Sequence, residues 1–335
     1  HFYIYGTITV SGPAIFSVGK LEFKSEEGTV IDLTNVTFGD NTGIEVDGPG
    51  TFDFVSPFVS DYFSPYEGNI YTHGHTITVN KFGADEGSTA AIWFQNSELH
   101  VKRAFSMQPN NDAAPSKVDV NLFLGSSGSD AYLYLKEGFE LNEVTLVGDI
   151  AIYNDMPAKK ITFPPGTSAD LYGNKLTAET FSIKGTEDEF ITIQTGTLSK
   201  TSGTVVAEYV SIVDLTATGG AAFYADKNSV DHGENTGWIF SSKEVQHIAF
   251  ADISDKVYGV TFDLTATSSS GLAVAYDVAS GPATISGNTI TITGVGEVTV
   301  QAFQDGNDTY MPAQEKLQSF NVTKALQDLV FTVVT

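Results

Sequence analysis

Apolar residues along this chain recur in steps of two. The runs TITV (7–10), KLEFK (20–24), HTITV (75–79), ELHVK (98–102), KVDVNLFL (117–124), AYLYLK (131–136) and FITIQ (190–194) all alternate in this way. Successive side chains of an extended strand point to opposite faces, so the pattern predicts half-buried strands. Thr, Val, Ile, Phe and Tyr dominate these runs, which is the composition a pleated surface favours. Between them lie clusters of Gly, Asn, Asp and Ser, such as GDNTG (39–43), GSSGSD (125–130) and YGNK (172–175). These are turn chemistry. No segment reads as a helix, and the expected class is all-β.

Spacing separates the all-β architectures open to residues 1–240. Apolar anchors stand at Ile77, Leu99, Val120, Leu141, Ile161 and Phe181, a near-constant interval. Coils of a right-handed parallel β-helix, or β-solenoid, repeat on this scale of roughly 20 to 24 residues because each turn must bring the chain back onto the previous one. A large antiparallel sandwich is the competing reading, since its strands also recur at short intervals. The period favours the solenoid.

The end of this region carries a resemblance. FITIQTGTLSK (190–200), YVSIVDL (209–215) and ATGGAAFYADKNSVDHGENTGWIF (217–240) resemble the closing coils of β-helix segments in large secreted surface proteins of Bacteroidetes-type bacteria. The resemblance implies that Asn235, Thr236, Gly237 and Trp238 end the domain. Trp238 and Phe240 would then cover the last coil.

A true internal repeat marks the C-terminal part of the chain. Lys243, Gln246 and Phe250 in KEVQHIAF recur as Lys324, Gln327 and Phe331 in KALQDLVF, all three at one constant offset. A module of residues 244–324 is therefore expected, with 325–335 as the start of a further copy. Its strand candidates are 247–251, 260–266, 272–278, 283–285, 289–293, 297–303 and 317–322. Seven short strands with Ser-Gly and Asp-Gly turns suit an Ig-like β-sandwich. DKVYGVTFDLTATSSSGLAVAYDV (255–278) and ISGNTITITGVGEVTVQAFQDGNDTYMPA (285–313) resemble bacterial Ig-like repeats of the YGX type, with Tyr258 and Gly259 at the namesake position.

Charge narrows the partners. The chain has 335 residues with 17 Lys plus Arg against 41 Asp plus Glu, a net charge of −24. The acids are spread along it: residues 1–240 hold 13 bases and 31 acids, and 241–335 hold 4 and 10. Such a surface repels phosphate backbones and anionic headgroups, so nucleic acid is not expected as a partner. There is no cysteine, which removes thiol catalysis, disulfides and thiolate metal sites. No 18-residue apolar run predicts membrane insertion. The chain opens HFYIYGTITV without an initiator Met or a basic leader, and reads as an excerpt of a longer secreted protein whose signal or upstream stretch has been removed.

Candidate chemistry is sparse. A uronate lyase needs cationic groups against the sugar carboxylate, yet Arg103 is the one arginine. A glycosidase needs two carboxylates across a cleft, and no acid pair stands in a distinctive motif. His73 and His75, two apart on a strand edge, offer the start of a metal site; turn histidines ahead of a solenoid strand are the plainer alternative. His232, beside Asp231 and Glu234, has the same two readings. Neither a nucleophile elbow nor a glycine-rich phosphate loop is present. No firm cofactor emerges. Calcium stays open because GADEGS (83–88), GTEDEF (185–190) and DGNDTY (305–310) place several oxygen donors close in sequence; solvated turns explain them as well. The aromatic segment 52–71 supplies a candidate binding surface at Phe58, Tyr62, Phe63 and Tyr66, whose rings suit sugars or a partner chain. Its other reading is an irregular flap packed on the solenoid's side.

The reading these features support is a non-catalytic, extracellular structural and adhesive segment of a large bacterial cell-surface protein or filament, with a cell-surface or polymer partner. The alternative is a carbohydrate-binding or polysaccharide-processing β-helix protein with an Ig-like spacer.

Overall fold

The computed structural model describes residues 2–10, 13–17, 19–84, 88–107, 117–135 and 139–324, with the side chains of 117–119 and 127–129 left out. The further repeat expected at 325–335, with Gln327 and Phe331, lies outside the described residues. The chain forms two compact units, residues 1–240 and 241–335. Among the described residues there is no helix long and apolar enough to cross a membrane.

Residues 1–240 form a parallel β-solenoid of about 10 turns. Each strand pairs in parallel with one a coil further on. One inward ladder runs Leu21, Ile44, Phe63, Phe82, Phe105, Leu133 and Ile152. A second runs Phe58, Ile77, Leu99, Leu122, Val144, Ile161 and Phe181. Alternation is what builds these ladders: in Ile77–Ala84, Ile77, Val79, Phe82 and Ala84 are buried. Each coil thus stacks its apolar side chains on the next, and a neighbouring coil covers what one coil alone would leave exposed.

The second ladder corrects the spacing read from the sequence. All six anchors chosen there are buried, but Val120 pairs with Ser97 and Leu141 with Val118 and Ala158. The rungs at these levels are Leu122 and Val144. The coils are therefore unequal in length, the step from Val144 to Ile161 being the shortest from Ile77 onward. Period-two alternation puts Val120 and Leu122 on the same inner face, and periodicity alone cannot tell which of them meets Leu99.

Phenylalanines fill the early coils. Phe54, Phe58 and Phe63 lie 5.3 to 5.4 Å apart by ring centroid. Phe63 continues to Phe82 at 5.6 Å and Phe82 to Phe105 at 5.3 Å. Corners bury polar groups, which must be paired. Thr72 Oγ1 lies 2.6 Å from Ser97 Oγ and donates to Phe94 O at 2.9 Å. The amides of Asn174 and Asn235 donate to Ile152 O and Ile212 O, one coil back. At the end, the strand Trp238–Phe240 pairs with Ala222–Ala225 and packs Trp238 and Phe240 on the core.

Residues 241–324 form a second all-β unit. A four-stranded sheet orders Lys256–Val257, Ala313–Thr323, Gly296–Gln304 and Ala275–Ser280. A three-stranded sheet holds Thr261–Asp263, Thr289–Ile292 and Ala283–Ser286, and Ile248–Phe250 pairs with Ala266–Ser268. The larger two sheets share a core of Ile290, Ile292, Val298, Val300, Phe320 and Val322. The candidate strand 260–266 splits between two sheets, and Lys256–Val257 is an added strand. Gly259 follows it at φ +86°, a left-handed conformation that favours glycine. Gln246, one of the repeated residues, is buried; its amide donates to Met311 O at 2.7 Å and its carbonyl accepts from Ser270 Oγ at 2.5 Å.

Candidate functional site

The aromatic segment is not an irregular flap. Phe58–Tyr71 is a 14-residue strand of the solenoid. Pro57 precedes it, and Pro65 sits where the register shifts, the places a strand tolerates proline. Of the four candidate binding rings, Phe63 is 0% and Phe58 4% exposed. Both are core rungs: alternation from Phe52 turns Phe58 inward, and a change of phase at Asp61 and Tyr62 turns Phe63 inward as well. This corrects their assignment to a binding surface; Phe58 alone also lines a surface groove, with Val36, Phe38 and Val59. Tyr62 is half-buried and pairs with Gly43, whose missing Cβ leaves room for the ring. Its hydroxyl donates to Gly19 O at 3.1 Å. Tyr66 is 50% exposed. The four rings therefore do not converge.

The histidines are turn residues. His73 has φ +49° and Gly74 φ +74°, so His73 and His75 flank a turn and do not share a strand face. His73 Nε2 meets Asp53 Oδ1 at 3.1 Å, and its ring stacks beside Tyr71. His232 Nε2 lies 2.9 Å from Ser211 Oγ, while Asp231 accepts from Gly233 N and Asn235 Nδ2.

The acid-rich turns considered for calcium do not gather three carboxylates among the described residues, and residues 85–87 of the first lie outside them. In 305–310 it is Asn307 that folds the turn, accepting from Thr309 N and Tyr310 N. The acids that do converge are Glu22, Glu45 and Asp47. Two lysines already neutralise them. Lys20 Nζ reaches Glu22 at 2.9 Å and Glu45 at 2.8 Å, and Lys24 Nζ reaches Glu22 at 2.8 Å and Asp47 at 2.6 Å. Burial works against ionised Glu22, yet the hydrogen bonds from Lys24 and Lys20 outweigh it and hold its pKa below the ordinary 4.5. The cluster is an ion-pair ladder between coils.

A different face gathers exposed aromatics and acids. Two successive coils here are equal in length, so outward positions on three rungs line up in columns. Asp130 pairs with Asp149 and Asp149 with Ser168. Two residues on, Tyr132 pairs with Ala151, Ala151 with Asp170, and Asp170 with Gln194. Two further on stand Tyr134, Tyr153 and Tyr172, whose rings stack at 5.0 and 5.1 Å with planes 19° and 25° apart. Tyr132 stands out of that stack, at 77° to Tyr134.

The middle of the second column holds only a methyl group. Ala151 thus leaves a groove of about 400 Å³ bordered by Tyr132, Asp149, Tyr153, Asp170 and Tyr172. Tyr132 and Tyr153 are each 40% exposed and Tyr172 57%. Asp170 is fixed: it accepts from Tyr172 N at 2.9 Å, Thr195 Oγ1 at 2.6 Å and Gln194 Nε2 at 2.8 Å. Its partial burial raises the carboxyl's pKa, but these three donors more than offset that and set it below the usual carboxylate range. Asp170 is ionised at neutral pH. Among the described residues, no lysine or arginine lines the groove. The groove offers hydrogen-bond acceptors, phenol hydroxyls and one ring outside the stack.

In the sequence this face is divided between a strand at 131–136 and a turn at 172–175, and neither stands out as a site. A signal was nevertheless present: the tyrosines at 134, 153 and 172 are evenly spaced and fall at outward positions.

No protein-family model matches the chain, and no curated protein does either. The functional reading therefore rests on residues and geometry.

Proposed function

We propose that this chain is a non-catalytic, extracellular structural and adhesive segment of a large bacterial cell-surface protein. The observation that carries the reading is the pair of inward side-chain ladders from Leu21 to Ile152 and from Phe58 to Phe181, in which coil after coil is held by the same rows. Stacked local units give reach and a long lateral surface, which suits presentation and contact. The coils are right-handed in this reading, the sense parallel crossovers favour. Residues 244–324 are, in this reading, an Ig-like sandwich of the YGX type, one of a series of tandem units. Support comes from the two sheets over one core and from the parallel pairing of Lys256–Val257 with Ala313–Thr323 beside antiparallel neighbours. The charge of −24 keeps such a surface soluble and away from anionic polymers.

The test is to couple the purified chain to beads and incubate them with bacterial cells and with soluble polysaccharides, measuring retention and the release of reducing ends together. Retention without release is expected. Release of reducing ends by the wild-type chain would overturn the non-catalytic reading, and absence of retention on every surface would overturn the adhesive one.

A further inference from the structure

We propose that the groove centred on Ala151 is a subsite for one ring of an uncharged polysaccharide laid along the solenoid, an inference that rests on the adhesive reading and names its ligand class.

Geometry comes first. In the column Tyr132, Ala151, Asp170 the flanking residues stand two rungs apart, which at the usual inter-strand spacing is about 9.5 Å. The intervening rung carries a methyl group, so the gap is open to something ring-sized. Tyr132 forms one wall. Its plane departs by 77° from Tyr134, so it takes no part in the parallel stack and supplies an apolar surface for a sugar's C–H face. Asp170 forms the opposite wall, held in place by three donors. Exposed Asp149 lies to one side and the edge of Tyr153 to the other.

Chemistry then selects the ligand. Ionised carboxylates are acceptors and suit the paired hydroxyls of a sugar. With Asp130, Asp149 and Asp170 together and no lysine or arginine among the described lining residues, uronates, sulfated glycans and phosphates are repelled. Both faces of Tyr153, the ring beside the gap, are covered by Tyr134 and Tyr172, so it offers its edge and hydroxyl, and Tyr132 supplies the open ring face. A ring face on one wall and fixed acceptors on the other match the two sides of a sugar, an apolar C–H face and a hydroxyl edge.

The experiment is titration calorimetry of the full chain with neutral gluco- and manno-hexasaccharides, a chitosan hexamer, a galacturonate hexamer and a lysine-rich peptide, repeated with Ala151→Leu and Tyr132→Ala. Both substitutions are at outward positions, and unfolding midpoints are recorded for each. Binding of a neutral hexasaccharide that weakens at least tenfold in both variants, with midpoints unchanged, is expected. Galacturonate should not bind. Equal affinity in wild type and variants, no binding of either neutral hexasaccharide, or a preference for the peptide or chitosan would overturn the inference. Bead retention of the same variants separates the two readings. If cells are still held when Ala151→Leu binds no glycan differently, adhesion stands and the groove assignment falls. If the groove binds glycan but reducing ends are released, the assignment stands and the non-catalytic reading falls.

Discussion

The solenoid contains two aromatic-rich stretches with opposite destinations. In residues 52–82, Phe52, Phe54, Phe58, Phe63 and Phe82 all point into the core. In residues 132–172, Tyr132, Tyr134, Tyr153 and Tyr172 all stand on the surface. Both stretches bring rings together from coil to coil, edge to face at 5.4 and 5.6 Å in the first and stacked at 5.0 and 5.1 Å in the second. What differs is the parity of the position along the strand and the presence of a hydroxyl. Phenylalanine has no polar atom to satisfy and can close an interior, whereas a tyrosine buried there would need a partner for its O–H. One ladder therefore supplies cohesion between coils, and the other forms a surface at little cost to stability.

This contrast is open to direct attack. The largest effect is expected from Phe63→Ala, which removes the ring joining Phe54, Phe58 and Phe82; it should destabilise residues 1–240 by about 3–5 kcal/mol in urea unfolding. A loss under about 1 kcal/mol would show that the inward ladder is not what holds the coils. Next, Gln246→Ala strips a buried amide from Met311 O and Ser270 Oγ. It should cost the second unit about 1–3 kcal/mol, read from the melting of that unit expressed from residue 241 onward if it folds alone, or otherwise from hydrogen exchange of the full chain. Tyr153→Ala sharpens the comparison from the other side, with an expected loss of about 0.5–1.5 kcal/mol.

Acid provides a further lever. The folded-state pKa of Glu22 lies below its ordinary 4.5, so the unfolded chain binds the proton first. The stability it contributes is complete above that ordinary value and is lost as pH falls through the lower folded one. Glu22→Gln should flatten the fall of the unfolding midpoint below pH 4.5; an unaltered profile would remove the cluster from the forces holding the coils. The smallest effect concerns calcium. Because Lys20 and Lys24 already bridge Glu22, Glu45 and Asp47, calcium against chelator should leave the midpoint unchanged, and a rise would reveal a bound ion by mass action.

The sequence shows strand class through alternation, and it shows a coil-like period through its anchors. It does not show register. Val120 and Leu141 are inward residues on the wrong rung, because every second residue satisfies the same apolar test. The same ambiguity hid the two ladders: Phe58 and Phe63 look like an exposed aromatic patch until their parity is fixed by pairing with Ile77 and Phe82. The even spacing of Tyr134, Tyr153 and Tyr172 was legible, but its meaning required knowing that coils at that level share this length while the two coils just before them are longer. The gap at Ala151 was out of reach, since a groove made by a small residue leaves no mark in composition. In the second unit, Lys256–Val257 escaped notice because two residues carry no period.

The most direct test sets the two ladders against each other in the same samples. Phe82→Ala and Tyr153→Ala would be compared for urea midpoint and for retention on immobilised neutral polysaccharide under conditions where each remains folded. The expected result is crossed: Phe82→Ala lowers the midpoint strongly and keeps retention, while Tyr153→Ala lowers the midpoint much less and weakens retention. Parallel losses in both variants, or a larger stability loss from Tyr153→Ala, would contradict the division of labour between inward and outward rings.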